Sequence, residues 1–313
     1  MLRSNPFPPS ARPACNLRDS QARSFLAGFL VLQPFAPESP DPLFALAKQY
    51  PAFAKSPGRL QLAARLDRWL GLAGLSEMPA SIPIGHRNPY LAGRQFMDVE
   101  IEGAGEFANQ IPKSGPVLVV ANHPYGALDA LIASDLTLAA RPDTLVFGNA
   151  VLAHPVHREW FLPLEILDES PAARRLNLDS MRRALLHLKN GGCVLIFPAG
   201  EVERWRWPRL SIEEGQWTTH LARLAQKSQA QILPLAFPGE NPLWFHLPGA
   251  LHPTLRLLAL PRAFLSLRGH TIPVRTGRAL KCDDLPLDPL AFTHTVRRHV
   301  LQLANRGEQS DAK

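Results

Sequence analysis

The stretch VLVVANHPYGALDA, residues 117–130, runs four apolar residues, Val117 to Val120, straight into Asn122, His123, Pro124 and Gly126. Such a run has no alternation, so it reads as a strand buried on both faces, as in a parallel sheet covered by helices. Asp129 then opens ALIASDLTLAA, where a helix is expected. A buried strand, a polar corner and a helix make one α/β unit, and the pattern recurs along the chain. Strand candidates are TLVFG (144–148), CVLIF (193–197), QILPLAF (231–237) and TIPVRTG (271–277). Helical stretches lie between them. In NLDSMRRALLHLKNGG, Met181, Leu185 and Leu188 share a face, Asp179 or Ser180 is the expected cap, and Gly191-Gly192 stops the helix. The expected fold class is α/β, with a mostly parallel central sheet flanked by helices.

Apolar residues make up 46% of the 313 and charged residues 19%, a globular composition that excludes a disordered chain. Net charge is +7, from 34 Lys+Arg against 27 Asp+Glu. A basic surface suits nucleic acid, anionic lipid or an acidic carrier, but no nucleic-acid motif or basic–aromatic run accompanies it, so nucleic acid ranks last. Cys15, Cys193 and Cys282 are scattered and form no CxxC, which argues against a disulfide framework or zinc site and suits a reducing compartment. SFLAGFLVL (24–32) is too short to span a membrane and lacks a cleavage signal, so a cytoplasmic location is expected.

The chain divides by composition. Residues 1–58 are proline-dense and read as an irregular extension. Residues 59–95 hold a basic amphipathic helix and a linker. Its stripe is Leu62, Leu66, Trp69 and Leu70, with Arg59, Arg65 and Arg68 largely off it. Packing on the main domain and docking at a membrane surface or carrier are both open for this helix. Residues 96–280 form the α/β domain, and 281–313 a closing helix and tail.

Ligands in open α/β sheets sit at the carboxyl ends of strands. Three polar loops leave such ends: the 122–129 corner, FPAGEVER (197–204) after CVLIF, and PGENPLWF (238–245) after QILPLAF. Their convergence on one site is the expectation. Within the corner, His123 alone has an unperturbed pKa, about 6.5, suited to proton abstraction near neutrality. Asp129 can accept from the second ring nitrogen, fixing the tautomer and stabilising the imidazolium. No Ser or Cys lies in the motif, so His123 is expected to deprotonate a substrate hydroxyl or amine directly. Gly126 allows the tight turn. The alternative is structural, with Asp129 a first-turn helix acid and His123 a cap. His154 and His157 in HPVH are a weak metal pair without acidic or Cys partners.

NHPYGALD, followed about seventy residues on by FPAGEVER, resembles the glycerophospholipid (lysophospholipid) acyltransferase family, of the 1-acylglycerol-3-phosphate acyltransferase type. FGNAVLAHPVHREWFLPLEIL (147–167) and ILPLAFPGENPLWF (232–245) are similar to its second and fourth blocks, so the resemblance covers roughly 96–280. It implies an acyltransferase that moves a fatty acyl chain from acyl-CoA or acyl-carrier protein to a lysolipid-like acceptor. His123 would be the base and Asp129 its support, with no metal or other cofactor. It further implies substrate-binding roles for Asn122, Gly126, Asn149, Phe197, Pro198, Gly200, Glu201 and Arg204, and a peripheral place on the inner, cytoplasmic membrane face.

Two departures stand out. Five residues separate His123 from Asp129 where the family has four, and Ala199-Gly200-Glu201-Val202 replaces its E-G-T-R, with Arg204 two positions later. Both resemble a hemolysin-like or ornithine-lipid-related branch, in which the acceptor need not be a glycerol phosphate. A hydrolase using the same dyad on water and a non-catalytic membrane-surface protein are the rival expectations. The absence of a G-x-S-x-G elbow counts against a serine mechanism.

Overall fold

The computed structural model describes residues 56–72, 74, 88–153, 157–166, 168–206, 211–246 and 253–305. The proline-dense extension therefore lies almost wholly outside the described residues, as do Cys15, 24–32, His154 and the C-terminal tail.

The strands are β1 (Glu100–Glu102), β2 (Val117–Ala121), β3 (Thr144–Asn149), β4 (Phe161–Leu164), β5 (Cys193–Ile196), β6 (Arg204–Arg206), β7 (Ser211–Glu213), β8 (Gln231–Ala236), β9 (Thr271–Pro273) and β10 (Arg275–Thr276). The helices are α1 (Pro57–Leu70), α2 (Pro89–Phe96), α3 (Ala104–Gln110), α4 (Ala127–Ala140), α5 (Pro171–Lys189), α6 (His220–Ser228), α7 (Pro253–Ser266) and α8 (Pro289–Leu303). The main sheet runs β10-β8-β2-β5-β3-β4, parallel except for the antiparallel edge strand β10. This is the predicted α/β fold class with a mostly parallel central sheet.

Helices cover both faces, which is why β2 carries no polar residue: all of Val117 to Ala121 is fully buried. Val117, Val119 and Ala121 face Leu128 and Ile132 of α4. Leu118 and Val120 face the side packed by Leu188 of α5, Leu221 of α6 and Phe292 of α8. The chain leaves β2 toward β3 and β4, returns to β5 beside β2, then crosses to β8 on its other flank. The loops after β5, β2 and β8 thus leave one end of three adjacent strands, the geometry that makes a cleft in such sheets.

Prolines punctuate this domain. Ser56, Asn88, Ser170 and Asp288 each cap a helix through a side-chain oxygen, and a proline follows at the first helical position every time. A missing N–H is harmless there and the fixed φ already suits the helix. Asn88 also donates to Asp135 at 2.8 Å, and Arg94 pairs with the same buried carboxylate, which pins α2 to α4.

Three sequence expectations need correction. The helix expected to start at Asp179 or Ser180 begins at Ser170, whose hydroxyl accepts from Ala173 N at 3.1 Å. Ser180 lies mid-helix and instead donates to the Pro163 carbonyl at 2.6 Å, tying α5 to β4. TIPVRTG is two strands: β9 pairs with β1, the Val274 amide turns to Glu102, and β10 then joins β8. Finally, the apolar stripe of α1 is split. Leu70 is buried and Leu66 partly so, whereas Leu62 and Trp69 are exposed. Gly71, at φ 78°, lets the end of α1 approach the α7 backbone, where a Cβ would stand 3.0 Å from Arg262 Cα. The Arg262 guanidinium lies between the Trp69 and Trp244 rings, 5.4 and 5.3 Å from their centroids.

Candidate active site

The three loops converge on His123 as expected. From the loop after β5, Phe197 lays its ring beside the imidazole, centroids 4.4 Å apart, and the Glu203 amide donates to the His123 carbonyl at 3.3 Å. From the loop after β8, Asn241 donates to the Pro124 carbonyl at 2.7 Å. Asn122 closes the corner at its base: its amide donates to the Phe237 carbonyl at 3.0 Å and accepts from the Phe237 N–H at 2.8 Å. That side chain imitates one more rung of the β2–β8 ladder. It is fully buried, and its polar atoms are spent on shaping the corner.

Asp129 stands where both readings of the sequence would put it. It is the third residue of α4, where its Oδ2 accepts from the amides of Tyr125 at 2.7 Å and Gly126 at 2.9 Å, as a helix-capping acid does. The same oxygen stands 3.3 Å from Nδ1 of His123. That contact is close but off the line of a good ring N–H···O bond, so Nδ1 is buried without a hydrogen-bond partner. Burial pushes the Asp129 carboxyl up, while His123 and the two amides pull it back. The imidazole keeps 17% of its surface open, whereas Asp129 is sealed. The imidazole is thus partly open to solvent on one side, with the sealed carboxylate beside its Nδ1.

Gly126 makes the five-residue spacing work. Its φ of 81° and ψ of −118° belong to a region that side-chain-bearing residues rarely enter, and a Cβ would sit 2.9 Å from Val202 Cγ2. Gly126→Ala is therefore expected to cost about 3 kcal/mol, from backbone strain plus overpacking against Val202. Chemical denaturation checks this, and an alanine variant as stable as wild type contradicts it.

Sequence reasoning missed the other side of the histidine. The His123 amide donates to Glu214 Oε1 at 3.0 Å, and the Trp217 indole N–H donates to Oε2 at 2.6 Å. Glu203 and Glu214 are both buried. Burial raises the Glu214 carboxyl from 4.5 to about 8; the indole, Arg297 and the His123 amide pull it back, and Glu203 adds to the rise. With its folded value above its unfolded one, the native state holds an extra proton between those two pH values, so stability falls as pH rises from 4.5 to about 8. Asp129 acts in the same direction. Urea midpoints measured across this window are expected to decline, and Glu214→Gln is expected to flatten most of the decline. A midpoint that rises with pH contradicts the assignment.

The remaining expected residues fall as follows. Pro198 and Gly200 form a turn, with Gly200 N donating to the Phe197 carbonyl at 3.1 Å and Gly200 exposed at φ 65°. The Glu201 carboxylate lies against Gly215, where a Cβ would meet Oε1 at 2.6 Å. Arg204 sits in β6 opposite Glu213, and its side chain lies outside the described residues. Asn149 ends β3, which β5 separates from β2. Cys193 is sealed, its thiol pushed up to about 12 by burial, which removes it as a nucleophile. Among the described residues no group of three or more His, Cys, Asp or Glu could hold a metal ion; His157 turns Nε2 to the Leu152 carbonyl at 2.9 Å.

Residues 105–238 match the model of the Acyltransferase family. This segment holds His123, Asp129, Glu203 and Glu214, so the site lies in an acyltransferase domain, and the protein is an acyltransferase enzyme. No curated protein matches the chain. Among solved structures, the 1-acyl-sn-glycerophosphate (LPA) acyltransferase PlsC from Thermotoga maritima is similar with a TM-score of 0.42 and 17% identity, over 71% of this chain and 78% of that one.

Proposed function

We propose that the enzyme moves a fatty acyl chain from the thioester of acyl-CoA or acyl-carrier protein to a free hydroxyl or amine of a lysolipid-like acceptor. His123 removes the acceptor's proton as its oxygen or nitrogen attacks the thioester carbonyl, and the thiolate of the donor leaves. Asp129, 3.3 Å from Nδ1, stabilises the positive charge that forms on the ring. The observation that carries the reading is the partly open imidazole 3.3 Å from a sealed carboxylate, at the end of β2 and inside the matched segment. A thioester is already activated, so base and orientation suffice for the attack. The buried Cys193 and the absence of Ser from the 122–129 corner support direct attack by the acceptor.

We place the enzyme peripherally on the cytoplasmic membrane face. Supporting this, Leu60, Leu62 and Trp69 of α1 and Leu243 and Trp244 after β8 are exposed. The exposed Arg59, Arg65 and Arg68 lie on the same helix, a mix suited to an anionic lipid surface. No described helix is long and apolar enough to cross a membrane. The departures at 199–204 favour an acceptor of the ornithine-lipid type over a glycerol phosphate.

The test presents labelled palmitoyl-CoA and palmitoyl-carrier protein with a panel of lysophospholipids and lyso-aminolipids, with and without anionic vesicles. Acylated product supports the reading, and the acceptor used names the branch. Turnover of neither donor, with vesicle binding retained, overturns it in favour of a membrane-surface protein.

A further inference from the structure

We propose that Glu214, held by Trp217, is a positioning residue that sets the His123 imidazole by gripping the histidine's backbone. The proposal rests on the acyl-transfer reading, because it is His123's reach to the acceptor that the grip would set.

The side-chain contacts of His123 do not by themselves fix its ring. Asp129 approaches Nδ1 off the hydrogen-bond line, and the Phe197 ring, tilted 36° to the imidazole, offers only a dispersion surface. The backbone is held more tightly. The His123 N–H ends on Glu214 Oε1 at 3.0 Å and its carbonyl accepts from Glu203 N at 3.3 Å, so both peptide groups are bound by the segment that carries the β6–β7 hairpin. Glu214 in turn cannot swing, because Trp217 occupies its other oxygen at 2.6 Å and is itself buried.

Two convergent N–H donors, one from residue 123 and one from residue 217, call for a side chain that can accept at two oxygens, and a carboxyl group does so whether or not it carries its proton, whereas an amide turns an NH2 to one of them. Burying that carboxyl group is costly in its charged form, and burial keeps it protonated to about pH 8. Glu203 and Arg297 of α8 are the charged or titratable groups that act on it, beside the Trp217 indole and the His123 amide. An expensive buried acid whose bonds end on the candidate base has the signature of a functional position. The expected consequence is geometric, since a displacement of about 1 Å at a base costs up to about 100-fold in rate.

The test compares Glu214→Gln, Trp217→Phe and the double variant in the full chain. Glutamine offers one oxygen and one NH2 to two donors, so in Glu214→Gln one donor must face another. We expect kcat to fall about 10- to 100-fold with the acceptor KM within about twofold. Removing the indole N–H frees the glutamine oxygen for His123, so the double variant is expected to recover much of the lost kcat. A purely structural role gives no such rescue, since Trp217→Phe would then only add damage.

A second readout needs no turnover. In NMR spectra of substrate-free protein, the His123 amide and imidazole Cε1–H resonances should both move in Glu214→Gln and return toward wild type in the double variant. The NMR result therefore stands even if wild type proves to transfer no acyl chain. Should Glu214→Gln not fold, Trp217→Phe alone must still move both resonances. Unchanged His123 resonances, unchanged kcat in a folded Glu214→Gln variant, or no recovery in the double variant would overturn the proposal.

Discussion

Alanine at His123 is expected to lower the acyl-transfer rate by about 1,000-fold or more while leaving the protein folded. The loss follows from removing the side chain that the proposed mechanism uses to take the acceptor's proton. The retention follows from how the residue is held. Its structural bonds, to Glu214 and from Glu203, use the peptide N–H and carbonyl, which alanine keeps. The ring itself is partly open and packs chiefly on Phe197, so its loss is expected to cost no more than about 1 kcal/mol. Rate and urea midpoint measured on one preparation separate the two effects. A variant that keeps most of its activity would remove His123 from the mechanism, and one that fails to fold would show that the ring carries structure.

Asp129→Ala is expected to damage both properties at once. Its Oδ2 accepts from two buried amides, and alanine leaves both without a partner, at a cost on the order of 3 kcal/mol. The imidazole loses its orienting carboxylate in the same step, so the rate should fall about 1,000-fold. Asp129→Asn separates the roles. It retains an oxygen for the amides, so most stability should return, while its charge is lost and activity stays low. Equal activity in the asparagine variant and wild type would reduce Asp129 to a helix cap.

How much of this was legible follows from range along the chain. β2, β5 and β8 were readable because each is a continuous apolar run buried on both faces. β1, β4 and the β6–β7 hairpin, at three or four residues apiece, are too short to show any period. The start of α5 was missed because its first turns, PAARR, carry little apolar pattern; only the Ser170-Pro171 pair announces it. His123 and Asp129 were readable as a pair since six positions bring them together in one turn. Glu214 was not, because its partner is 91 residues away and a Glu-Glu-Gly stretch reads as a solvated turn. Asn122 illustrates a different limit: a polar residue beside a candidate base invites a ligand-binding role, whereas here it completes a sheet.

The departures at residues 199–204 take on meaning in the structure. Glu201 rests against Gly215, and Glu203 turns its amide to His123, so this loop is bound up with the β6–β7 hairpin that holds the His123 backbone. The hairpin, the corner and the loop after β8 enclose the histidine from three sides, which is how three stretches distant in sequence become one site.

The central claim is that the acyl group goes to a lipid acceptor through His123, and not to water. Its most direct measurement follows the fate of a labelled palmitoyl thioester while the acceptor concentration is raised, with acylated lipid and free fatty acid quantified together. The account predicts that acylated lipid rises to saturation, that free thiol appears in equal amount, and that fatty acid stays at the level seen with the His123→Ala variant. Fatty acid released by the wild type at a rate indifferent to acceptor would contradict it and make the enzyme a hydrolase.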